Sequence, residues 1–313
     1  MDLQEHLGSH LKFRHLLVAL AVDEYGSLGR TAEHLYMTQP ALSRMLREAE
    51  TAIGAVLFER TRNGMVATES GVAYLEHARS IVGQSEVLRR RIKEIEHPGS
   101  GSVSIGVFVT GANLLVPRAV AALAQEYPDS EIRIIEAPPE NLIQELNAGT
   151  VDVLVGRITS HSSTAQLQLV SLYRESYRIV ARKGHECLDA NVTTLEQLVK
   201  YPWAMPIAGT PLYDTLVQEF ALAGVPIPQH HVECATPAPL RTLILEAGYL
   251  SIMQESMAVA DEEFEFHPLR IGELAQDVGY MLSPNRPLTK MTRLLINSLE
   301  AQSEKIRAQL SPQ

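Results

Sequence analysis

Residues 27–47 read SLGRTAEHLYMTQPALSRMLR, two short helical patterns that meet at the joint Tyr36 to Gln39. Ser27 is placed to cap the first helix, which buries Leu28, Thr31, Ala32 and Leu35 at helical spacing. Thr38 caps the second, and Gln39 and Pro40 follow in its first turn, where proline's fixed φ and missing N–H cost little. In that second helix Leu42, Met45, Leu46, Ala49 and Ile53 fall on one stripe, while Gln39, Ser43 and Arg47 share another face with Pro40 and Arg44 beside it. The pattern predicts a helix-turn-helix with one face for a core and one for a partner. If the second helix enters a DNA major groove N-terminus first, Gln39 and Ser43 reach base edges and Arg44 and Arg47 reach bases or phosphates. Pro40 packs on a thymine methyl, and the capping residues Ser27 and Thr38 complete this side of the expected contact set.

Outward from this stretch, Leu11, Leu16, Leu17, Leu20 and Ala21 recur at helical intervals, so a helix precedes the Ser27 cap and makes a three-helix unit. After Gly54 the chain turns extended. Val56-Leu57-Phe58 and Met65-Val66-Ala67 flank Asn63-Gly64, a strong hairpin signal. The hairpin is a wing, with Arg60 and Arg62 near its tip in reach of phosphates. Thr68 caps a long helix toward His97, along which Tyr74, Ala78, Ile81, Ser85, Leu88, Ile92 and Ile95 alternate in steps of four and three. That narrow heptad seam, flanked by Arg89-Arg90-Arg91 and Glu94, predicts a dimerising linker helix.

The segment resembles the N-terminal domain of the LysR-type transcriptional regulators. The resemblance is carried in order by Phe13-Arg14-His15-Leu16, Gly26-Ser27, Ala32-Glu33-His34-Leu35, Thr38-Gln39-Pro40-Ala41-Leu42-Ser43, Leu57-Phe58-Glu59-Arg60 and Thr68-Glu69-Ser70-Gly71. Thr31 stands where the family usually has a second alanine, and Ala49 where a leucine usually precedes Glu50. The resemblance implies a winged helix-turn-helix over 1–67, a linker helix over 68–97, a hinge at 98–102 and an effector-binding domain over 103–313. In that domain, lobe I takes about 103–173 and 277–313, and lobe II about 174–276. It also implies a homodimer assembling to a homotetramer on a pseudo-palindromic stretch of double-stranded DNA, a small-molecule effector between the lobes, and contact with RNA polymerase.

Composition frames these expectations. The 313 residues suit two or three domains, and 45% hydrophobic with 20% charged residues is ordinary for a globular protein. The longest apolar run near the start, Leu16 to Val22, is far short of a membrane span, and no basic stretch leads into an apolar one, so a cytoplasmic protein without membrane attachment is expected. Cys187 and Cys234 read as packing residues of a reducing compartment. Nearly all of the net charge of −10 lies beyond the linker: residues 1–97 hold 12 basic against 13 acidic side chains, residues 98–313 hold 15 against 24. One DNA-reading unit should therefore bind weakly and depend on a few placed arginines and on pairing.

After His97-Pro98-Gly99-Ser100-Gly101-Ser102 comes an alternation of strands and helices that argues for a parallel sheet covered by helices, in an α/β region long enough for two lobes; the resemblance implies that these lobes are periplasmic-binding-protein-like. Separate strands are expected at 166–173 and 177–181. Ligands in such sheets sit where strands end and helix N-termini begin. This singles out Thr110 and Asn113 after the first strand, Gly209 and Thr210 after the Trp203 strand, and Thr236 after the His231 strand. Arg157, following an apolar strand, suits a bidentate grip on a carboxylate. The expected effector is a small carboxylate or a sugar-derived metabolite. No cofactor or metal is expected, since His230-His231 lacks helical ligand spacing and no P-loop, Gly-x-Ser-x-Gly or dinucleotide fingerprint occurs. The alternative is an enzyme or solute binder on the same two-lobed fold, its N-terminal region used for assembly.

Overall fold

The computed structural model describes residues 11–310 apart from positions 63, 98–99, 108–112, 159–166, 190, 235, 272–274 and 285. Helices α1 (Phe13–Tyr25), α2 (Leu28–His34) and α3 (Gln39–Ile53) pack with a two-stranded hairpin, β1 (Phe58–Thr61) and β2 (Gly64–Ala67). Their core gathers Leu16, Val22, Leu28, Ala32, Leu42, Leu46, Ala49 and Leu57. Leu35, the residue that caps the end of α2, and Ile53, the last residue of α3, are exposed rather than buried, because each stands where its helix stops and the chain turns. Ser27 accepts a bond from the Arg30 N–H at 3.2 Å and Thr38 one from the Ala41 N–H at 3.4 Å, so both caps form. Thr31 is fully buried, yet its hydroxyl donates to the Ser27 carbonyl at 2.7 Å, which satisfies the polar atom that this position carries in place of an alanine methyl.

Helix α4 (Glu69–Glu96) leaves this domain from the Thr68 cap, whose hydroxyl accepts from the Gly71 N–H at 3.0 Å. Its heptad seam divides. Tyr74 and Ala78 are buried in the core of their own winged domain, a correction to their expected place in a dimer seam: the first turns of a helix that starts inside a domain must pack on it. Farther on, Ile81, Leu88, Ile92 and Ile95 are 47%, 59%, 48% and 77% exposed, and Ser85 is half-buried.

The remainder of the chain builds a nine-stranded sheet from its described residues. In lobe I, β3 (Ser102–Val107) lies parallel to β4 (Glu131–Glu136) and β5 (Val153–Arg157), flanked by α5 (Leu115–Glu126) and α6 (Pro139–Ala148). Next come β6 (Gln168–Arg182), the short α7 (Leu195–Leu198), β7 (Trp203–Met205), α8 (Pro211–Leu222), β8 (His231–Glu233), α9 (Pro237–Ala247), β9 (Leu250–Gln254), α10 (Glu255–Val259) and β10 (Phe264–Phe266). Strand β11 (Ala275–Leu282) returns to lobe I, and α11 (Lys290–Leu310) packs on α5.

Two expectations are corrected. The sheet is mixed, since β11 runs antiparallel to β5 and β6, and β9 and β10 run antiparallel to β6. The two strands expected at 166–173 and 177–181 are one, β6, and the polar Arg174-Glu175-Ser176 does not interrupt it. Glu175 is buried, and its carboxylate accepts from the Ser256 N–H at 3.1 Å and the Ser256 hydroxyl at 2.5 Å, so the sheet carries it without a break. Ser176 pairs with Ala275 of β11 and Tyr177 with Gln254 of β9, so β6 changes partners between these two residues.

Three buried histidines give the fold a pH dependence. In His185 and His267 the Nδ1 atom accepts a backbone N–H, from Cys187 at 3.1 Å and Leu269 at 3.0 Å, while Nε2 meets the Gly248 and Val192 carbonyls at 3.1 and 3.0 Å. His15 likewise accepts the Lys12 N–H at 3.2 Å. A ring whose Nδ1 accepts is neutral, and burial lowers the pKa of all three below the ordinary 6.5. A histidine depressed in the folded state contributes stability that is present above pH 6.5 and is lost as pH falls from that value toward the lower folded one. Buried Glu175, raised by desolvation, acts with the opposite sign above pH 4.5. The thermal midpoint is expected to fall between about pH 7.5 and 5.5, and His267→Gln to flatten that slope; an unchanged slope in scanning calorimetry would contradict the assignment.

Candidate DNA interface and ligand cleft

The exposed face of α3 presents Gln39, Pro40, Arg44 and Arg47, with Ser43 half-buried between them. Arg44 donates to Glu48 at 3.1 Å, and Glu48 also lies 3.7 Å from Arg14. Such exposed pairs contribute little, so Arg44 can exchange its carboxylate for a phosphate. The Arg47 Nε donates to the Ser43 carbonyl at 3.3 Å, which lays its side chain back along the helix. On the wing, Arg60 and Arg62 are exposed. The wing is anchored where the Met65 N–H donates to the Gly26 carbonyl at 2.8 Å, beside the Ser27 cap. Gly64, at φ +124°, lies so close that a Cβ there would strike the Gly26 carbonyl oxygen. The helix corner adds a residue that the helical pattern did not pick out: Tyr36, in the left-handed region at φ +53° and 98% exposed, stands beside the N-terminus of α3. A bulky residue held there is a backbone outlier that a functional contact would explain.

Between the lobes lies a cleft of about 960 Å³. Lobe I supplies Asn113, the first turns of α6 and Arg157 at the end of β5; lobe II supplies Thr210 and Thr236, at the starts of α8 and α9, and the crossing strands. Of the expected contacts, Asn113, Arg157, Thr210 and Thr236 line the cleft. Gly209 does not; at φ +80° with open space around it, it forms the turn before the Thr210 cap, a correction to its expected contact role. Thr110 lies outside the described residues. The Thr210 hydroxyl is engaged, donating to the Ile207 carbonyl at 2.7 Å and accepting from the Tyr213 N–H at 3.4 Å, whereas the Thr236 side chain makes no capping bond to its helix.

Two further wall residues escaped the sequence reading. Tyr177 and Gln254 face each other across the β6–β9 ladder, both buried, and the tyrosine hydroxyl and the Gln254 Nε2 have no partner of good hydrogen-bond geometry. Burial, then the charge of Glu175, pushes the Tyr177 phenol up to about 12, so it is a donor at neutral pH. Their meeting depends on the antiparallel register of two segments more than 70 residues apart, for which the sequence holds no local signal. Met205, Ile207, Leu240, Met253 and Met257 make the rest of the wall largely apolar.

A winged helix-turn-helix carried on a long helix beside a two-lobed cleft defines a DNA-reading protein with a built-in small-molecule site. Residues 13–72 match the family model of bacterial regulatory helix-turn-helix proteins of the lysR family, and residues 96–304 match that of the LysR substrate-binding domain. The chain belongs to the LysR family of DNA-binding transcriptional regulators with an effector-binding domain. It is similar to the transcriptional regulator GbpR of Azospirillum brasilense, 28% identical over 302 residues that span 95% of this chain and 88% of the relative. Its fold is similar to ArgP from Mycobacterium tuberculosis, with a TM-score of 0.66, 17% identity and coverage of 92% and 96% of the two chains. It is also similar to full-length CbnR in complex with its target DNA, with a TM-score of 0.50, 20% identity and coverage of 94% and 100%. Among the described residues no helix is long and apolar enough to cross a membrane.

On the DNA face, Arg47→Ala is expected to weaken operator binding about 5- to 100-fold in a gel shift at fixed salt, the range for one lost base contact. Binding equal to wild type would take Arg47 out of the interface.

Proposed function

We propose that this regulator is switched by a small carboxylate with an apolar body, bound between the lobes. The reading rests on one observation: the Tyr177 hydroxyl and the Gln254 Nε2 are neighbours buried in the cleft wall, and neither has a partner of good hydrogen-bond geometry. An unmet buried donor costs about 1–3 kcal/mol, and a ligand that accepts from both removes that cost. Arg157 on the opposite lobe supplies the cation for a carboxylate, and among the described residues no acidic group pairs with it. Thr236 adds a hydroxyl donor, while the methionine-rich wall takes the apolar body and leaves a polyhydroxylated sugar poorly matched.

Ser27, Thr38, Gln39, Pro40, Ser43, Arg44 and Arg47, with Arg60 and Arg62 of the wing, read a pseudo-palindromic operator, 1–67 acting as the reading head. Pairing through Ile81, Ser85, Leu88, Ile92 and Ile95 brings two heads together. Burying four exposed large side chains is worth roughly 1.5–3 kcal/mol each before association costs, enough to favour a dimer, and dimers assemble to a tetramer. The protein works in the cytoplasm, meets RNA polymerase at the promoter and performs no catalysis.

Calorimetry with a panel of aliphatic and aromatic monocarboxylates tests the cleft. Arg157→Ala and Tyr177→Phe should each weaken the best binder about 5- to 100-fold. Undiminished affinity in both, or tighter binding of neutral sugars than of any carboxylate, would overturn the ligand class. Leu88→Glu with Ile92→Glu should shift the sedimentation of the full chain to a monomer, and an unchanged oligomer would move the dimer interface elsewhere.

A further inference from the structure

The linker helix has a second, opposite face. Gly83, Val87, Arg90 and Glu94 recur in steps of four, three and four, offset by two residues, about 200° around the helix, from the exposed Ile81–Ile95 stripe. This second face docks on lobe I of the same chain. Gly83 meets the C-terminus of α6 so closely that a Cβ would sit on the Ala148 carbonyl oxygen, and Val87 is buried. Arg90 grips Asp152 with both nitrogens, Nη1 to Oδ2 at 2.7 Å and Nη2 to Oδ1 at 2.8 Å.

Asp152 is buried, and both its oxygens are committed. Arg286 donates to Oδ1 at 2.6 Å, and the Ser104 N–H to Oδ2 at 2.9 Å. Arg286 also donates to the carbonyls of Leu146 at 3.1 Å, Val151 at 3.0 Å and Gly149 at 3.2 Å, tying down the end of α6 and the start of β5. One turn on, the Glu94 carboxylate accepts the Lys290 N–H at 3.0 Å at the start of α11.

The two elements held there are those that reach the cleft. Helix α6 begins with Pro139 and Ile143 in the cleft wall and ends at Ala148 under the linker helix, a rod of about 15 Å. Strand β5 starts beside Asp152 and ends at Arg157. A shift of either is passed to the far end, where backbone meets backbone at Gly83 and Arg90 is held by a buried carboxylate that Arg286 and the Ser104 N–H fix in lobe I.

We propose that the Arg90–Asp152–Arg286 clasp couples the cleft to the linker helix, so that lobe closure re-aims α4 and, through the paired helices, the DNA-reading heads. Arg90 is thus a positioning residue for regulation that touches neither DNA nor ligand. The proposal rests on the reading that closure of the cleft is the switch, but not on which ligand closes it.

The test therefore uses no ligand. Asn113 and Met257 meet across the cleft, with Nδ2 and Sδ 3.8 Å apart. Full-length protein carrying Asn113→Cys and Met257→Cys on a Cys234→Ser background is bridged with dibromobimane, which fixes the lobes together. Nuclease protection is then compared, bridged and unbridged, on an operator selected in vitro by the wild-type protein. Bridging is expected to change the protected pattern with Arg90 present, to leave it unchanged in Arg90→Met, and to regain part of the change in Arg90→Lys. Arg90→Met retains Arg286 and the Ser104 N–H on Asp152, so it should fold and bind carboxylates in the calorimetric panel as wild type does. An identical bridging effect in Arg90→Met would overturn the clasp, and no effect in the parent would overturn coupling from the cleft. Failure of the carboxylate panel alone would remove the ligand class and leave the clasp standing.

Discussion

The architecture depends on the continuity of one strand. Strand β6 pairs with β11 on one side of residue 176 and with β9 on the other, so a single stretch of backbone belongs to both lobes. Continuity through Arg174-Glu175-Ser176 places a carboxylate in the interior, where Ser256 at the start of α10 satisfies it. The same strand sets Tyr177 opposite Gln254 on the cleft wall. The crossing therefore joins the lobes and also presents the two buried polar groups on which the proposed ligand contact rests.

Helix α4 distributes three tasks along one cylinder. Its first turns, with Tyr74, Leu75 and Ala78, complete the winged domain. Beyond them one face is apolar and exposed, and the opposite face is engaged by lobe I through Gly83, Val87, Arg90 and Glu94. A helix gripped on one side by its own effector domain and free on the other is suited to pass a lobe movement to a partner helix. The near-neutral charge of the winged domain makes this arrangement consequential, since a single reading head has little electrostatic affinity of its own.

Much of the DNA-reading unit was legible because its signals are local. Ser27 and Thr38 cap helices, Pro40 sits in a first turn, and Asn63-Gly64 marks the hairpin, each acting within a few residues. The seam over Tyr74 to Ile95 was legible as a periodicity but not as a destination, because spacing alone does not say which partner covers which turn. Its opposite stripe passed unnoticed, since a glycine, a valine, an arginine and a glutamate do not form an apolar pattern. In the cleft, Arg157, Thr210 and Thr236 could be found from strand ends and helix starts. Gly209 was misassigned because a glycine that makes a turn and one that admits a ligand look alike in sequence.

The sequence by itself determined the capped helix starts and the wing of the DNA-reading unit and the α/β character of the rest, all of which follow from interactions between residues near one another in the chain. Tertiary structure alone decided the mixed strand directions, the passage of β6 between lobes, the Tyr177–Gln254 pair and the burial of Asp152 between Arg90 and Arg286. Each of these joins segments between 62 and 134 residues apart in the chain. Their register is set by how whole elements pack, and no local pattern of polarity encodes it.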